Sequence, residues 1–115
     1  MIVALGMVVG ASRAAGASPA PFEASKRGTV ERDVVYAAAG GVEVAMDLHY
    51  PRSRGPWPCV VAVHGGGWSE GDKAGFDLGL ARRGYLVASV NYRLYPAYRF
   101  PSMIEDVKAA VRFLR

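Results

Sequence analysis

Alternation of apolar and polar residues is clearest over residues 42–50, where the sequence reads VEVAMDLHY. A period of two is typical of a β-strand that buries one face. A second β-rich segment, residues 30–36, comes before it, and the Gly40-Gly41 pair between the two is a hairpin turn signal. The pattern predicts an antiparallel hairpin at the edge of a sheet, with His49 on its exposed polar face.

Two later segments are continuously apolar instead of alternating. Residues 59–63 (CVVAV) and 85–92 (YLVASVNY) have the pattern of strands that are buried on both faces of a sheet. Residues 73–83 between them are compatible with a helix that begins after Asp72 and ends at Gly84. Alternation of strand and helix from residue 59 onwards indicates a parallel sheet with right-handed crossovers. The predicted fold class is therefore α/β.

The last fourteen residues carry the strongest helix signals. Ser102 and Glu105 fit an S-x-x-E capping box, which marks a helix N-terminus. The helix reaches Arg115 without a glycine cap, and the fourth predicted strand, residues 85–92, is expected to have an unpaired edge. We therefore expect the chain to be the N-terminal part of a larger domain. One apolar face of the helix should pack on the sheet through Ile104, Val107, Val111 and Leu114.

The first residues have a different character from the rest of the chain. Residues 1–10 form a short apolar run, and Ala15-Gly16-Ala17 fits an A-x-A cleavage pattern. The run is too short for a membrane span, which needs about 20 residues. These features predict a signal peptide over residues 1–17, a linker over 18–28 and a folded domain over 29–115. A secreted or periplasmic location follows from that prediction.

Charge and cysteine content narrow the function classes. The formal net charge is +4, but the basic residues are scattered and form no stripe interleaved with aromatic residues, so we expect no nucleic-acid partner. The single Cys59 lies inside an apolar run and is expected to be a small buried hydrophobe. The two histidines are not accompanied by a cluster of acidic residues or cysteines, so no metal site is expected.

The motif with the most specific chemistry is His64-Gly65-Gly66-Gly67-Trp68, directly after a predicted buried strand. Three consecutive glycines remove every Cβ, so backbone N–H groups can approach a ligand atom closely. Such donors stabilise the negative oxygen that develops when an ester carbonyl is attacked. An HGGG-type loop after the third strand is the oxyanion element of many lipases and esterases. The loop therefore predicts an oxyanion hole.

Several motifs beyond this loop match one group of enzymes. They are GDK at residues 71–73, GY at 84–85, NYRL at 91–94 and IEDVKAAVRFLR at 104–115. Together with residues 64–68 they resemble the front of the HGGG-bearing α/β-hydrolases, particularly the feruloyl-esterase-like (BD-FAE) and hormone-sensitive-lipase-like esterases. The resemblance covers residues 29–115. It implies an antiparallel edge hairpin followed by a parallel β-α-β-α arrangement that stops before the nucleophile elbow.

The resemblance also implies roles for single residues. The backbone N–H groups of Gly66 and Gly67 would bind the substrate carbonyl oxygen, and Trp68 would line the pocket. The serine, acid and histidine would follow beyond residue 115, so no nucleophile, acid or base is expected in this chain. The implied reaction is hydrolysis of a small-molecule carboxylic ester by serine acyl transfer, without a metal or an organic cofactor. It leaves the oligomeric state open.

Other polar and aromatic residues have simpler structural interpretations. His64 lies at a strand end beside the loop, which favours a structural role over general-base catalysis. Asp72 is most simply a helix cap. Arg93 and Asp106 are candidates for a buried ion pair between the fourth strand and the last helix. An aromatic group could form a substrate shelf or only pack a loop: Tyr92, Tyr95, Tyr98 and Phe100.

Three other functions compete with ester hydrolysis. Amide or formamide hydrolysis of the arylformamidase type uses the same loop. Gly65, Gly67 and Gly71 resemble a loosened dinucleotide-binding turn, but the spacing misses G-x-G-x-x-G by one residue and the next strand ends in Asn91 rather than in an acid. A non-catalytic fragment or binding module is the third, since a chain without its nucleophile would be inactive alone.

Overall fold

The structure, a computed structural model, describes residues 2–9, 26–74 and 79–115. The described strands form one mixed sheet with the order β1-β4-β5-β3-β2, in which β4 and β5 are parallel and the other neighbours antiparallel. The predicted α/β class with an antiparallel hairpin at one edge is therefore confirmed. The elements are β1 (Ile2–Val9), β2 (Val30–Ala39), β3 (Val42–His49), β4 (Trp57–Val63), β5 (Leu86–Val90) and α1 (Ser102–Leu114).

The β2–β3 hairpin turns at Gly40 and Gly41, whose φ angles are 60° and 78°. A tight hairpin turn with positive φ at both central residues is what a Gly-Gly pair permits. The pairing of β2 with β3 shifts register between Glu31 and Val34, and Asp33 in this bulge has a φ of 55°. A bulge redirects side chains out of the regular ladder. It brings Asp33 towards the loop that follows β4.

The centre of the sheet is apolar on both faces. Every residue of β5 is buried, and in β4 only Pro58 is exposed. Burying a valine or leucine side chain contributes about 1.5–3 kcal/mol, so these two strands belong at the centre of the sheet. The expectation that His49 is exposed is wrong, since it is only 7% exposed. The reason is that every residue from Met46 to His49 is buried, so both faces of the sheet are covered at this end of β3.

The sheet edges differ from the sequence expectation. The fourth predicted strand, now β5, has no open edge because it lies between β4 and β3. The outer edge of β4 pairs with β1, which falls inside the predicted signal peptide. The A-x-A pattern and most of the predicted linker lie outside the described residues, and cleavage stays a prediction. In the described ranges, no helix is long and apolar enough to cross a membrane.

The helix predicted over residues 73–83 is wrong for the part that the structure describes. Only Ala81–Arg83 is helical there, as a short 3-10 helix that ends at Gly84 with a φ of 97°. At the other end, the Lys73 N–H donates to the side chain of Asn91 and the Lys73 carbonyl accepts from Ser89. The backbone of Lys73 is thus engaged with groups in and just after β5.

Helix α1 is confirmed, but it begins and turns differently from the prediction. It starts after Pro101 without a side-chain cap, and the Ser102 N–H donates to the carbonyl of Arg99 at 2.9 Å, so the capping box is wrong. Ile104, expected on the buried face, is 37% exposed. The helix packs against β2 and β4. Its buried residues are Met103, Asp106, Ala110 and Leu114.

Candidate active site

The glycine-rich loop begins where β4 ends at the centre of the sheet. Three consecutive residues in it have positive φ: Gly66 at 119°, Gly67 at 59° and Trp68 at 66°. The Gly66 carbonyl turns back and accepts the N–H groups of Ser69 at 3.1 Å and Glu70 at 3.2 Å. In the described ranges, no protein acceptor takes the N–H of Gly66 or Gly67. Both donors are therefore available to a ligand.

The two glycines are required for different reasons. A Cβ on Gly66 would lie 2.0 Å from the Glu70 carbonyl oxygen, which no side chain can tolerate. A Cβ on Gly67 would meet nothing within 4 Å. Only the left-handed φ of Gly67 disfavours a side chain there. Gly66 thus closes the turn, and Gly67 leaves space beside the exposed backbone.

A pocket of about 190 Å³ adjoins the loop. The Trp68 and Tyr92 rings meet edge to face, with their centroids 5.3 Å apart. Tyr92 is buried, whereas Tyr95 and Phe100 are 53% and 80% exposed. Tyr92 is thus the member of the aromatic group that lies in this pocket. The lining residues are Val63, His64, Gly65, Gly67, Trp68 and Tyr92.

His64 is built into the frame of the loop. Its side chain is buried, and its Nδ1 lies 2.8 Å from the Gly65 carbonyl oxygen. The Tyr92 hydroxyl donates to the His64 carbonyl oxygen at 2.7 Å, and the two rings stack with centroids 4.5 Å apart. Burial raises the pKa of Tyr92, which keeps its hydroxyl a donor. These contacts favour the structural interpretation of His64.

Ser69 has a feature that the prediction of no nucleophile overlooked. Residues 67–71 read Gly-Trp-Ser-Glu-Gly, which matches the G-x-S-x-G spacing of a nucleophile elbow. An elbow serine sits on a sharp turn directly between a strand and a helix. Ser69 instead follows the end of β4 by six residues, and its hydroxyl donates to the Gly66 carbonyl at 3.1 Å. Its position and bonding are those of a loop residue.

A buried lysine next to the loop was not identified from the sequence. The Lys73 Nζ lies 2.9 Å from Asp47 Oδ1 and 2.8 Å from Asp33 Oδ1. Burial alone would raise the pKa of Asp47, but hydrogen bonds from the Asp33 N–H and from Lys73 lower it below its usual value. The hydrogen bond to Asp33 raises the pKa of Lys73 against the opposing effect of burial, and Asp47 adds to the rise. The one clue in the sequence to this buried lysine was Asp47, a charged residue within β3 that needs a partner when it is buried.

The predicted ion pair between Arg93 and Asp106 is confirmed. The Arg93 Nε and Nη2 donate to both carboxylate oxygens of Asp106 at 2.8–3.1 Å, and the Arg93 N–H donates as well at 2.9 Å. Asp106 is 2% exposed, so the pair is buried. It fixes α1 to the loop that follows β5. The Asp72 side chain accepts the Ala74 N–H at 2.7 Å, and because residues 75–78 lie outside the described residues, its role as a helix cap stays a prediction.

The remaining candidates lie away from this loop or form no site. Cys59 is buried in β4, and burial raises the pKa of its thiol to about 12, as expected for an inert side chain. Across the residues that the structure describes, no group of three or more His, Cys, Asp or Glu side chains could hold a metal ion.

Comparisons with known proteins agree with this geometry. The BD-FAE family model matches residues 46–115. Rabbit (Oryctolagus cuniculus) arylacetamide deacetylase is 49% identical in an alignment of 61 residues that covers 46% of this chain and 15% of that protein. An Arabidopsis thaliana protein named as a probable isoprenylcysteine alpha-carbonyl methylesterase is 36% identical in an alignment of 89 residues that covers 74% of this chain and 18% of that protein.

Solved structures give the same result. The fold matches a thermophilic esterase from Thermogutta terrifontis with a TM-score of 0.65 and 25% identity, over 73% of this chain and 32% of the esterase. The chain therefore spans less than a third of the length of each of these three proteins. Because the family model covers well over half of the chain and the sheet matches that of a solved esterase, the chain belongs to the BD-FAE family of the α/β-hydrolase superfamily.

Proposed function

We propose that the whole protein containing this chain is a carboxylic ester hydrolase that acts by serine acyl transfer, and that residues 64–68 form part of its oxyanion hole. The observation that carries the proposal is the pair of unused backbone donors, Gly66 and Gly67, in the loop that adjoins a pocket, of which Gly67 is a lining residue. Fixed donors of this kind stabilise the charge that develops on a carbonyl oxygen, because they need no reorganisation during the reaction. Trp68 would line the pocket beside them.

The names of the relatives support this chemistry. One is called a methylesterase, and the Thermogutta terrifontis esterase was solved with bound butyrate and phosphorylated by paraoxon. In such an enzyme the serine, acid and histidine supply the covalent step, and the loop supplies two of the oxyanion donors. This chain would contribute the donors and the pocket wall. The residue after the nucleophile would contribute the third donor.

The test compares two glycines that share a backbone conformation. Gly67 and Gly41 both have positive φ, and a Cβ on either meets nothing within 4 Å. Both alanine variants therefore carry a similar strain, but only Gly67→Ala places a methyl group beside the proposed donors. In the whole protein, Gly67→Ala should lower kcat for p-nitrophenyl butyrate about ten- to a hundredfold. Gly41→Ala should retain wild-type kcat, and equal losses in the two variants would contradict the proposal.

Ser69 allows a second test, because its pentapeptide fits the elbow spacing. Removing the nucleophile of a serine hydrolase lowers kcat by about 10⁶-fold. Ser69→Ala should lower kcat less than about tenfold, since it removes only the hydrogen bond to Gly66. Labelling of the wild-type protein with paraoxon, followed by peptide mass spectrometry, should find the phosphoryl group outside residues 67–71. A label on Ser69 would overturn this assignment.

Amide hydrolysis is the second candidate. The observation in its favour is the 49% identity to a protein that is named an arylacetamide deacetylase. Both reactions pass through a tetrahedral intermediate, so the same donors would serve either of them. The ratio of kcat/KM for p-nitrophenyl acetate and p-nitroacetanilide distinguishes them. An ester-to-amide ratio near one would favour the amidase.

We also propose export from the cytoplasm, on the basis of the apolar residues 1–10 and the Ala15-Gly16-Ala17 pattern. Cleavage there would remove the segment that pairs with the outer edge of β4. The mass of the mature N-terminal peptide, measured on protein from the native host, tests this proposal. Recovery of intact residues 1–17 on the mature protein would contradict it.

A further inference from the structure

Lys73 lies two residues after Gly71, where the turn that contains the glycine-rich loop closes, and its charged side chain is buried. Its exposed fraction is 8%, and that of Asp47, its partner in β3, is 1%. The Nζ also contacts the exposed carboxylate of Asp33 in the β2 bulge. Replacing a buried ion pair with apolar residues is often neutral or stabilising, so stability alone gives no reason for this pair. The position of the pair beside the loop suggests another use for it.

The backbone around Lys73 is anchored as firmly as its side chain. The Lys73 N–H donates to Asn91 Oδ1 at 2.7 Å, and the Lys73 carbonyl accepts from Ser89 Oγ at 2.7 Å. The Asn91 Nδ2 donates to Asp72 Oδ2 at 3.1 Å. Residues 72–73 are thus tied to β3 through the Lys73 ammonium and to the end of β5 through these hydrogen bonds.

This anchor is in direct contact with the start of the loop. A Cβ on Gly71 would lie 2.3 Å from His64 Nδ1 and 2.5 Å from the Gly65 carbonyl oxygen. The two ends of the loop therefore touch, and residues 65–70 form a closed turn between β4 and the anchored Lys73. A shift of Lys73 would move Gly71 against His64 and Gly65, and with them the N–H groups of the next two glycines.

We propose that Lys73 and Asp47 are positioning residues that hold the Gly66 and Gly67 N–H groups at the geometry an oxyanion requires, with Asp33 as an auxiliary contact. The inference rests on the proposed function, because it assigns these residues a purpose in the same site. Neither side chain touches the pocket, and both act through the backbone of residues 71–73. A change in this anchor should therefore lower kcat more than it raises KM.

The experiment separates positioning from folding by removing both charges together. Lys73→Met alone leaves Asp47 buried without its ammonium partner, which destabilises any fold. The double variant Asp47→Asn, Lys73→Met keeps the volumes and keeps an oxygen that accepts the Asp33 N–H, so its Tm should return close to that of the wild type. Its kcat in the whole protein should still fall roughly ten- to a hundredfold, because a small misplacement of reacting groups has effects of this size. Lys108→Met, on an exposed lysine of α1, is the matched control and should change neither quantity.

A second measurement does not depend on catalysis. Amide hydrogen exchange of peptides that cover residues 64–72 should be at least severalfold faster in the double variant, and exchange in α1 should be unchanged. A double variant with restored Tm, wild-type kcat and unchanged exchange in residues 64–72 overturns the inference. If the double variant does not fold, the variant Asp33→Asn tests the inference instead. Because Asp33 is 77% exposed, its replacement should leave Tm unchanged. Amide hydrogen exchange in the loop should still become about twofold faster or more. An unchanged loop in that variant also overturns the inference.

The two proposals fail in different ways. A wild-type whole protein that hydrolyses neither esters nor amides contradicts the proposed function. Hydrogen exchange would still decide whether Lys73 and Asp47 hold the loop. If the enzyme is active but the double variant is as active and as protected from exchange as the wild type, only the positioning role is wrong.

Discussion

The loops that follow β4 and β5 leave the same end of two parallel strands, yet they are built in opposite ways. The first has three consecutive residues with positive φ and exposes the N–H groups of Gly66 and Gly67. The second, residues 91–101, uses its backbone donors within the protein, for example the Tyr95 N–H, which donates to the Trp68 carbonyl at 2.9 Å. The first loop leaves backbone N–H groups free for a ligand, and the second loop supports the first.

Each loop is also held by one buried ion pair. Lys73 with Asp47 ties the first loop to β3, and Arg93 with Asp106 ties the second loop to α1. The first pair lies close to the proposed oxyanion donors, whereas the second lies between packed elements. This difference in position is the basis for proposing that the first pair serves the geometry of the site, while the second attaches the helix.

The largest expected effect is the loss of stability when the Arg93–Asp106 pair is broken. Asp106→Ala leaves Arg93 beside an apolar interior without its bidentate partner, which should destabilise the whole protein by about 3–5 kcal/mol. Urea or thermal unfolding measures the loss. Glu105→Ala is the matched control, because Glu105 is half exposed and forms a surface pair with Lys108 that contributes little. Equal effects of the two substitutions would show that the Arg93–Asp106 pair does not attach α1.

The next largest effect is expected from a substitution in the glycine-rich loop itself. Gly66→Ala would place a methyl group 2.0 Å from the Glu70 carbonyl oxygen, so the turn must open. A strained backbone of this kind costs roughly 1–3 kcal/mol, and loss of one oxyanion donor lowers kcat about 10²–10³-fold. Gly66→Ala should therefore be worse than Gly67→Ala in both stability and kcat. The opposite order would mean that Gly66 does not close the turn.

Local sequence patterns were sufficient to predict the strands that form because they bury apolar side chains. Alternation in residues 42–50 and the apolar run of residues 59–63 correspond to β3 and β4, and the Gly-Gly signal corresponds to the observed turn. The motif of residues 64–68 also indicated a glycine-rich turn after β4, and its role as an oxyanion hole stays a prediction. These features depend on neighbours in sequence, so they can be predicted without knowledge of the fold.

The wrong predictions concern segments whose structure depends on contacts with residues distant in the sequence. The buried face of α1 differs from the predicted one because Asp106 turns inwards to meet Arg93. Of the helix expected over residues 73–83, the described part contains only the short 3-10 helix Ala81–Arg83, and the backbone of Lys73 is bonded to Ser89 and Asn91 instead. In each case a polar partner from another strand or loop outweighs the local pattern, and no spacing rule for one segment could reveal it.

A smaller effect is expected from a link between the hairpin and the second loop. The Tyr36 hydroxyl donates to the Asn91 carbonyl oxygen, and burial raises the pKa of Tyr36, which keeps this donor protonated. Tyr36→Phe removes one buried hydrogen bond and should lower the free energy of unfolding by about 1 kcal/mol. Chemical denaturation measures the change. A loss as large as that of Asp106→Ala would contradict the view that the ion pair dominates the attachment of this region.

The smallest expected effect is that of pH on the stability contributed by Lys73 and Asp47, which should hardly change near neutral pH. The folded pKa of Asp47 is lowered from 3.8, so its contribution to stability is complete above that value and is lost only as pH falls through the folded pKa. The pKa of Lys73 is raised from 10.5, so its contribution is complete below that value and is lost as pH rises through the folded pKa. Arg32 and Asp33 are the other charged groups that face Asp47 and Lys73.

The Tm difference between the wild type and the Asp47→Asn, Lys73→Met variant should therefore stay constant from about pH 5 to about pH 9 and change only outside that range. Thermal melts of both proteins across this series measure it. A step in the difference near neutral pH would mean that another titrating group controls the loop. Such a step would contradict the assignment of the pH-independent Lys73–Asp47 pair as the anchor of the first loop.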